Sequence, residues 1–369
     1  MQTEEQQLLY KIAITLLPNV GPILARNLIS YCGGVEQVFK AKPARLQKIP
    51  GIGEKTAKEI HEADVLGRAE DEIKFITKHK IQSLFYLDEN YPARLKECYD
   101  SPLMLYYKGN AELNAPRIVG IVGTRNATDY GKSVTEKIIE QLAALDVLVI
   151  SGLAYGIDVS AHKAALENGL KTVAVLGHGL HTLYPSVHKS VAQKMAAQGG
   201  LLTEFISNSD FNKENFPKRN RIIAGLVDAL IVVETKRKGG AIITAEIANS
   251  YNREVFAVPG NINAQFSEGC NFLIRTNKAI LFDEAREFLE VIGWAQGEQG
   301  SKPSKQTRLF EDLDQDELTL VEILKREKMR IDEISVKMNR PSGIIATSLL
   351  SLELKGIVKT LPGKMYELC

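Results

Sequence analysis

The chain has 369 residues, with 46 Lys and Arg against 45 Asp and Glu, 6 His and a formal net charge of +1. Hydrophobic residues make up 44% and charged residues 25%, a globular composition that excludes a disordered chain, a collagen-like fibre and a disulfide scaffold. The near-zero charge excludes a polycation that coats nucleic acid, while leaving room for a local basic site. No run approaches the ~20 apolar residues of a membrane span. The start, Met1-Gln-Thr-Glu-Glu, has no basic stretch followed by an apolar leader. Cys32, Cys98, Cys270 and Cys369 are scattered, so a reducing cytoplasm is the simplest compartment.

Residues 1–80 read as a small helical domain with an approximate internal repeat. Leu17-Pro-Asn-Val-Gly-Pro-Ile-Leu-Ala-Arg-Asn-Leu parallels Ile49-Pro-Gly-Ile-Gly-Glu-Lys-Thr-Ala-Lys-Glu-Ile. The second copy fits a helix-hairpin-helix: Gly51 and Gly53 permit a tight turn, Ile52 fills the core, and Ala57 lets two helices approach. Such a turn can aim helix N-terminal N–H groups at a phosphate, with Lys48, Lys55 and Lys58 close by. It can equally be a packing device, and residues 1–90 hold 12 basic and 12 acidic residues.

Residues 81–295 alternate short β-branched runs with helical patterns such as Ser133–Leu145 and Val187–Ala197. Strands are expected at Ile118–Val122, Val147–Ile150, Thr172–Leu176, Leu201–Thr203, Ala229–Val233, Val255–Val258 and Ala279–Leu281, with Leu103–Tyr107 as an edge strand. Continuous apolar strands separated by helices predict an α/β, doubly wound, mostly parallel sheet covered on both faces. Ligands of such folds bind beyond the carboxyl ends of the strands. Residues 296–316 are polar and read as a flexible linker. Residues 317–369 read as a last domain: helices over Leu318–Lys325, Ile331–Met338 and Pro341–Lys355, a turn at Asn339-Arg, then a hairpin of Ile357–Leu361 and Met365–Leu368 around Pro362-Gly-Lys. Helix-turn-helix plus hairpin is the winged-helix pattern. Its third helix offers only Ser342, Thr347 and Ser348 to bases, where DNA readers offer Arg, Asn or Gln. Residues 318–369 carry nine basic and six acidic residues. Duplex binding and protein docking both stay open for this domain.

The strand ends carry the chemistry. They present Gly123-Thr-Arg-Asn-Ala-Thr, Ser151-Gly-Leu-Ala-Tyr-Gly-Ile-Asp, Gly177-His-Gly-Leu with Tyr184-Pro185, and Lys236-Arg-Lys-Gly-Gly-Ala-Ile-Ile-Thr. Phe216-Pro-Lys-Arg-Asn-Arg-Ile-Ile-Ala-Gly precedes the fifth strand of the series. Glycines admit a ligand near the backbone, and Arg supplies a fork for phosphate. Between Lys213 and Arg253 there are eight basic and four acidic residues, a local +4. Loops flanking the fifth strand of the series should bring Arg219, Arg221, Lys236, Arg237 and Lys238 near Arg125. Phe216 offers a stacking face. Taken alone, Lys236–Lys238 reads equally well as a solvated loop.

Known nucleotide sites fit poorly. Gly120-Ile-Val-Gly-Thr-Arg lacks the dinucleotide spacing, and Asn126 stands where a Walker A loop ending in Gly131-Lys-Ser needs its first glycine. Gly239-Gly-Ala-Ile-Ile-Thr-Ala-Glu resembles the signature of phosphoribohydrolases of the lysine-decarboxylase-like type, with Glu246 as acid or base. Ile242 and Ile243 replace a glycine and a threonine of that signature. A nucleotide-cleaving enzyme is therefore the alternative reading. Asp158 and His162, four apart, suggest a catalytic pair or, preferably, an Asp cap on a helix. His178, His181 and His188 have no accompanying Cys or carboxylate cluster, so no metal is expected.

Ile121-Val-Gly-Thr-Arg, Ser151-Gly-Leu-Ala-Tyr-Gly-Ile-Asp, Leu176-Gly-His-Gly-Leu, Phe216-Pro-Lys-Arg-Asn-Arg-Ile-Ile-Ala-Gly and Val258-Pro-Gly-Asn occur in order through the central domain. Together they resemble the DNA-processing protein A family (DprA, also called Smf). The flanking domains match one arrangement of that family. The resemblance implies an extended Rossmann domain that binds single-stranded DNA without established catalysis. It implies protection of incoming strands in natural transformation, loading of a RecA-type recombinase, self-association as a homodimer, and no cofactor. The implied DNA contacts are Gly123, Thr124, Arg125, Ser151, Gly152, Ala154, Gly156, His178, Phe216, Lys218, Arg219, Asn220, Arg221, Lys236, Gly239, Gly240 and Thr244. Thr124 replaces the usual Ser and keeps its hydroxyl. Gly239-Gly-Ala replaces the usual Ser-Gly-Ser and removes hydroxyls from that loop.

Overall fold

A computed structural model describes residues 4–209, 211–294, 313–325, 328–338, 340–361 and 365–368. They form two compact units divided after Ala295. The expected linker lies outside the described residues from 296 to 312, as do the turn at Asn339 and the hairpin tip Pro362-Gly-Lys.

In the first unit, helices Pro22–Cys32 and Glu54–Glu62 each begin inside one copy of the internal repeat. The repeat is one of backbone geometry. Gly21 and Gly53 precede the helices with φ/ψ of −81/175° and −82/175°. Two residues earlier, Asn19 and Gly51 take left-handed φ of +58° and +86°, a region that Asn and Gly tolerate best. Ile52 and Ala57 are buried as expected. The helical region shares one core with Phe85, Leu103, Met104 and Tyr106 of the sheet. It is also keyed to the loop 204–209: the buried Glu72 carboxylate accepts the Ser207 N–H at 3.0 Å and its hydroxyl at 2.5 Å.

The sheet comprises β1 (Gln82–Phe85), β2 (Met104–Gly109), β3 (Ile118–Val122), β4 (Leu148–Ser151), β5 (Thr172–Val175), β6 (Gly200–Thr203), β7 (Ala229–Val232), β8 (Glu254–Ala257) and β9 (Ile280–Leu281). Its order is β1-β2-β6-β5-β4-β3-β7-β8-β9. Strands β3 to β9 run parallel, and β2 is antiparallel to both β1 and β6. Every residue of β3, β4, β5 and β7 is buried. Ile118 and Val122 enter the core on one face, Val119 and Ile121 the core on the other. That two-residue period with helices on both faces explains the unbroken apolar runs. One expectation is corrected: the strand read at Leu103–Tyr107 is interior, because Gln82–Phe85 pairs along its outer side. The chain builds β3 to β6 in one direction and then places β7 on the other flank of β3. This reversal opens a crevice beyond the carboxyl ends of β3 and β7.

The second unit packs helices Gln315–Leu324, Ile331–Met338 and Ser342–Leu354 around Leu320, Ile334, Ile345, Leu349, Leu352 and Val358. A small sheet of β10 (Met329–Arg330), β11 (Val358–Leu361) and β12 (Met365–Leu368), ordered β10-β12-β11, completes a winged helix. Among the described residues no helix is long and apolar enough to cross a membrane.

Candidate nucleic-acid interface

A cavity of about 320 Å³ lies in the crevice beyond β3 and β7. Gly123, Thr124 and Arg125 line it from the end of β3, Ala154 and Asp158 from the segment after β4, and Thr235, Lys236, Gly239, Gly240 and Thr244 from the segment after β7. Phe216, Arg219 and Asn220 close it from the helix Asn215–Leu226. Arg125 is exposed, its guanidinium 5.6 Å from the centre of the Phe216 ring. Among the described residues no carboxylate pairs with it. Lys236 is likewise exposed at the rim, near the Phe266 ring.

The helix Gly240–Ser250 starts at this cavity without a side-chain cap. The Gly240 and Ala241 N–H groups and the helix dipole therefore favour an anion, while the Ile242 N–H bonds the Gly239 carbonyl at 3.1 Å. The neighbouring helix Ile157–Glu167 offers one donor fewer, because its Ile157 and Val159 N–H groups already bond to the Thr124 and Ala154 carbonyls. The absence of hydroxyls in Gly239-Gly-Ala leaves backbone groups as the donors of that loop. Gly240 has open space where a side chain would stand.

Arg219 is placed differently from a surface phosphate ligand. It is 4% exposed, and one guanidinium nitrogen donates to the Gly152 carbonyl at 2.6 Å and to the Val175 carbonyl. Burial lowers its pKa to about 10, with the Asp158 charge acting in the opposite direction. Asp158 is itself buried, which raises its carboxyl, while Arg219 and the Ala154 and Gly152 N–H groups favour its charged form. Asp158 thus binds the loop ahead of its helix; Gly156 holds the cap position, so the expected Asp cap is corrected. The two loop glycines admit protein, not ligand. A Cβ on Gly152 would meet the Arg219 guanidinium, and a Cβ on Gly156, at φ +76°, would meet the Thr124 and Arg125 backbone.

Four other expected contacts lie elsewhere. Ser151 is buried and donates to the Ile121 carbonyl at 2.6 Å. His178 is buried; Nδ1 lies 3.0 Å from the Gly179 carbonyl and Nε2 accepts the Tyr184 N–H at 3.1 Å. Lys218 and Arg221 line a separate groove of about 870 Å³ that also includes the hairpin-turn residues Gly21 and Gly51. Arg221 is paired there with Glu204 and donates to the Asp100 carbonyl. The cause is helical. Residues 215–226 form a helix rather than a loop, and two positions along a helix turn about 200°. Arg219 and Arg221 therefore point to opposite sides. Arg237 is drawn off as well, stacked 3.4 Å from the centre of the Phe272 ring.

Glu246, the acid of the nucleotide-cleaving alternative, does not line the cavity and is paired with Lys278 at 2.6 Å. His162 and Asp158 do not form a pair: His162 Nδ1 bonds the Thr172 hydroxyl at 2.7 Å in a fully buried site. Burial, then the Arg219 and His188 charges, lowers the His162 pKa to about 3. The folded pKa lies below the unfolded value near 6.5, so this contribution is full above pH 6.5 and is lost as pH falls towards 3. Denaturant titrations should show a His162→Gln variant losing less stability than wild type between pH 7 and pH 5, by up to about 2 kcal/mol. Equal losses would contradict the assignment. His181 accepts the Asn208 N–H and His188 Nδ1 bonds the Leu153 carbonyl, so the three clustered histidines have separate backbone partners. Thr235 and Ile223 also line the cavity and were not singled out from sequence. Thr235 sits directly before Lys236, a neighbour relation that strand-end reasoning could have used.

Comparison with known proteins matches three family models along the chain. The family model of DNA recombination-mediator protein A matches residues 82–293, a SAM-like helix-hairpin-helix tandem matches 12–63, and a DprA winged helix domain matches 304–364. Protein Smf of Synechocystis sp. is 31% identical over 97% of this chain and 98% of its own length. DNA processing protein DprA of Streptococcus pneumoniae is 43% identical over 53% of this chain and 69% of its own. The X-ray structure of the S. pneumoniae protein superposes with a TM-score of 0.67 at 34% identity, covering 79% of this chain and 98% of that one. DNA processing protein A of Helicobacter pylori gives 0.53 at 28% identity, covering 58% and 95%. The chain belongs to the DNA recombination-mediator protein A family, the DNA-processing proteins DprA and Smf.

Proposed function

We propose that this chain binds single-stranded DNA in the crevice beyond β3 and β7. The observation that carries the reading is Arg125: an exposed guanidinium over the Phe216 ring, unpaired with any described carboxylate, facing an uncapped helix N-terminus. A cation and N–H groups suit a phosphate, and a ring suits an unpaired base. The H. pylori relative's structure concerns its mode of single-stranded DNA binding, which supports the same ligand class. Gly123, Thr124, Ala154, Asn220, Lys236, Gly239, Gly240 and Thr244 form the walls; Gly152, Gly156, Ser151 and Arg219 hold the loops in place. The strand so held is protected and handed to a RecA-type recombinase during DNA uptake and recombination in the cytoplasm, a role consistent with the family's description as recombination mediators.

A homodimer is part of the proposal. The edge strand β9 exposes Ile280 and Leu281, an apolar edge of the kind that pairs with a second copy. The winged helix is assigned to protein docking. Its third helix exposes Ile344, Leu350 and Leu354 rather than base-reading side chains.

Binding measured against salt tests the proposal. Single strands should bind more tightly than duplex at every salt concentration, with log affinity falling linearly in log salt. A chain ending at residue 295 should keep that binding to within about threefold, corresponding to ~0.6 kcal/mol. Loss of binding on that deletion would move the site to the winged helix; no preference for single strands would refute the proposal.

A further inference from the structure

Three rings stand together beside the Arg125 cavity. Phe216 is half-buried in its wall, while Phe211 is 50% and Tyr184 45% exposed. The Phe211 centroid lies 5.6 Å from Phe216 and 4.9 Å from Tyr184, and Tyr184 lies 6.1 Å from Phe216. Their planes cross at 70° and 62°. Such edge contacts leave part of each ring face uncovered.

The rings are held from beneath. Phe216 rests on Gly177, where an added Cβ would stand 3.0 Å from the ring. The Tyr184 backbone N–H is bonded to the buried His178, whose ring lies 6.4 Å from Phe211. A single exposed ring is ordinary on a protein surface, but a fixed, contiguous group continuous with a cationic pocket marks a binding surface.

We propose that Phe211 and Tyr184 form a second base-stacking subsite, which takes the nucleotide adjacent to the one whose phosphate Arg125 holds. The inference rests on the single-stranded reading of the cavity and extends it. Arg125 already spans the two regions, lying over Phe216 while lining the phosphate cavity. The occupant is an unpaired base. Bases in a duplex are stacked on one another and have no free face to offer, whereas every unpaired base presents one. The subsite therefore contributes to selection of single strands without reading sequence.

The test uses the full chain, fluorescence anisotropy, and two labelled oligonucleotides of equal length: oligo-dT and the same backbone made abasic. Phe211→Ala and Tyr184→Ala should each weaken oligo-dT binding roughly 5- to 150-fold, the range for loss of one base–ring stack. Neither should weaken binding of the abasic strand, and neither should change the salt slope, since no phosphate contact is removed. Tyr184→Phe should restore wild-type affinity, because the ring and not the hydroxyl does the stacking. Equal losses on both strands would mean a structural role, and no loss on either would leave the rings to a protein partner; each overturns the proposal. Arg125→Ala separates this failure from that of the underlying reading. If it alone loses binding, the cavity stands and the ring subsite falls. If wild type binds no single strand, both fall.

Discussion

Replacing Arg125 with alanine is expected to weaken single-stranded DNA binding by about 10- to 150-fold while leaving the fold intact. The magnitude is that of one hydrogen-bonded contact to a charged group, about 1.5–3 kcal/mol. The salt dependence carries a second signature. Each phosphate contact on a single strand contributes about −0.7 to the slope of log affinity against log salt, so the slope should flatten by roughly that amount. Stability should change little, within about 0.5 kcal/mol, because the side chain is exposed and makes no described ion pair. Anisotropy titrations at four or more salt concentrations, with a thermal melt as control, give both quantities. Unchanged affinity and slope would remove Arg125 from the interface.

Arg219→Met is expected to do the reverse: a large loss of stability from a residue that lines the cavity but is buried beneath its surface. The buried guanidinium satisfies the Gly152 and Val175 carbonyls and balances Asp158. Removing it leaves the buried Asp158 carboxylate without its nearby opposite charge and the Gly152 and Val175 carbonyls without that donor. Breaking such a pair costs about 3–5 kcal/mol, which in a body of this size lowers the melting temperature by on the order of 10 °C. Gly152→Ala should act on the same contact, because its Cβ would occupy the guanidinium's place. A methionine variant that melts like wild type yet binds DNA poorly would instead make Arg219 a direct ligand. Paired loss at Arg125 and Arg219 is therefore a poor single test of binding, since only the first leaves the protein's framework alone.

The strands of the sheet were legible because complete burial demands unbroken β-branched runs, and Ile118–Val122 or Ala229–Val232 can be little else. Strand β1 escaped notice: Gln82-Ser-Leu-Phe has a half-polar outer edge and a burial pattern that rises only at its end. Its pairing turned the supposed edge strand at Leu103–Tyr107 into an interior one. The internal repeat at Asn19–Gly21 and Gly51–Gly53 was visible in glycine spacing and recurs as matched dihedral angles.

The cavity's chemistry was half visible. Strand-end glycines and cations pointed to the right rim, since a doubly wound sheet must place its ligand there. What each cation does was beyond the sequence. Arg125 and Arg219 are the same residue type in the same basic neighbourhood, yet one faces water and the other is 4% exposed between carbonyls. Arg221, two positions on, leaves the site altogether for Glu204. Composition, order of elements and family were determined by the sequence itself, because periodicity and local turn chemistry act over a few residues. The assignment of phosphate ligand, structural cation and ion-paired bystander was decided only in three dimensions. Burial, helical phase and the distance to a carboxylate from another segment set the role of a charge, and none of these is a property of the residue alone.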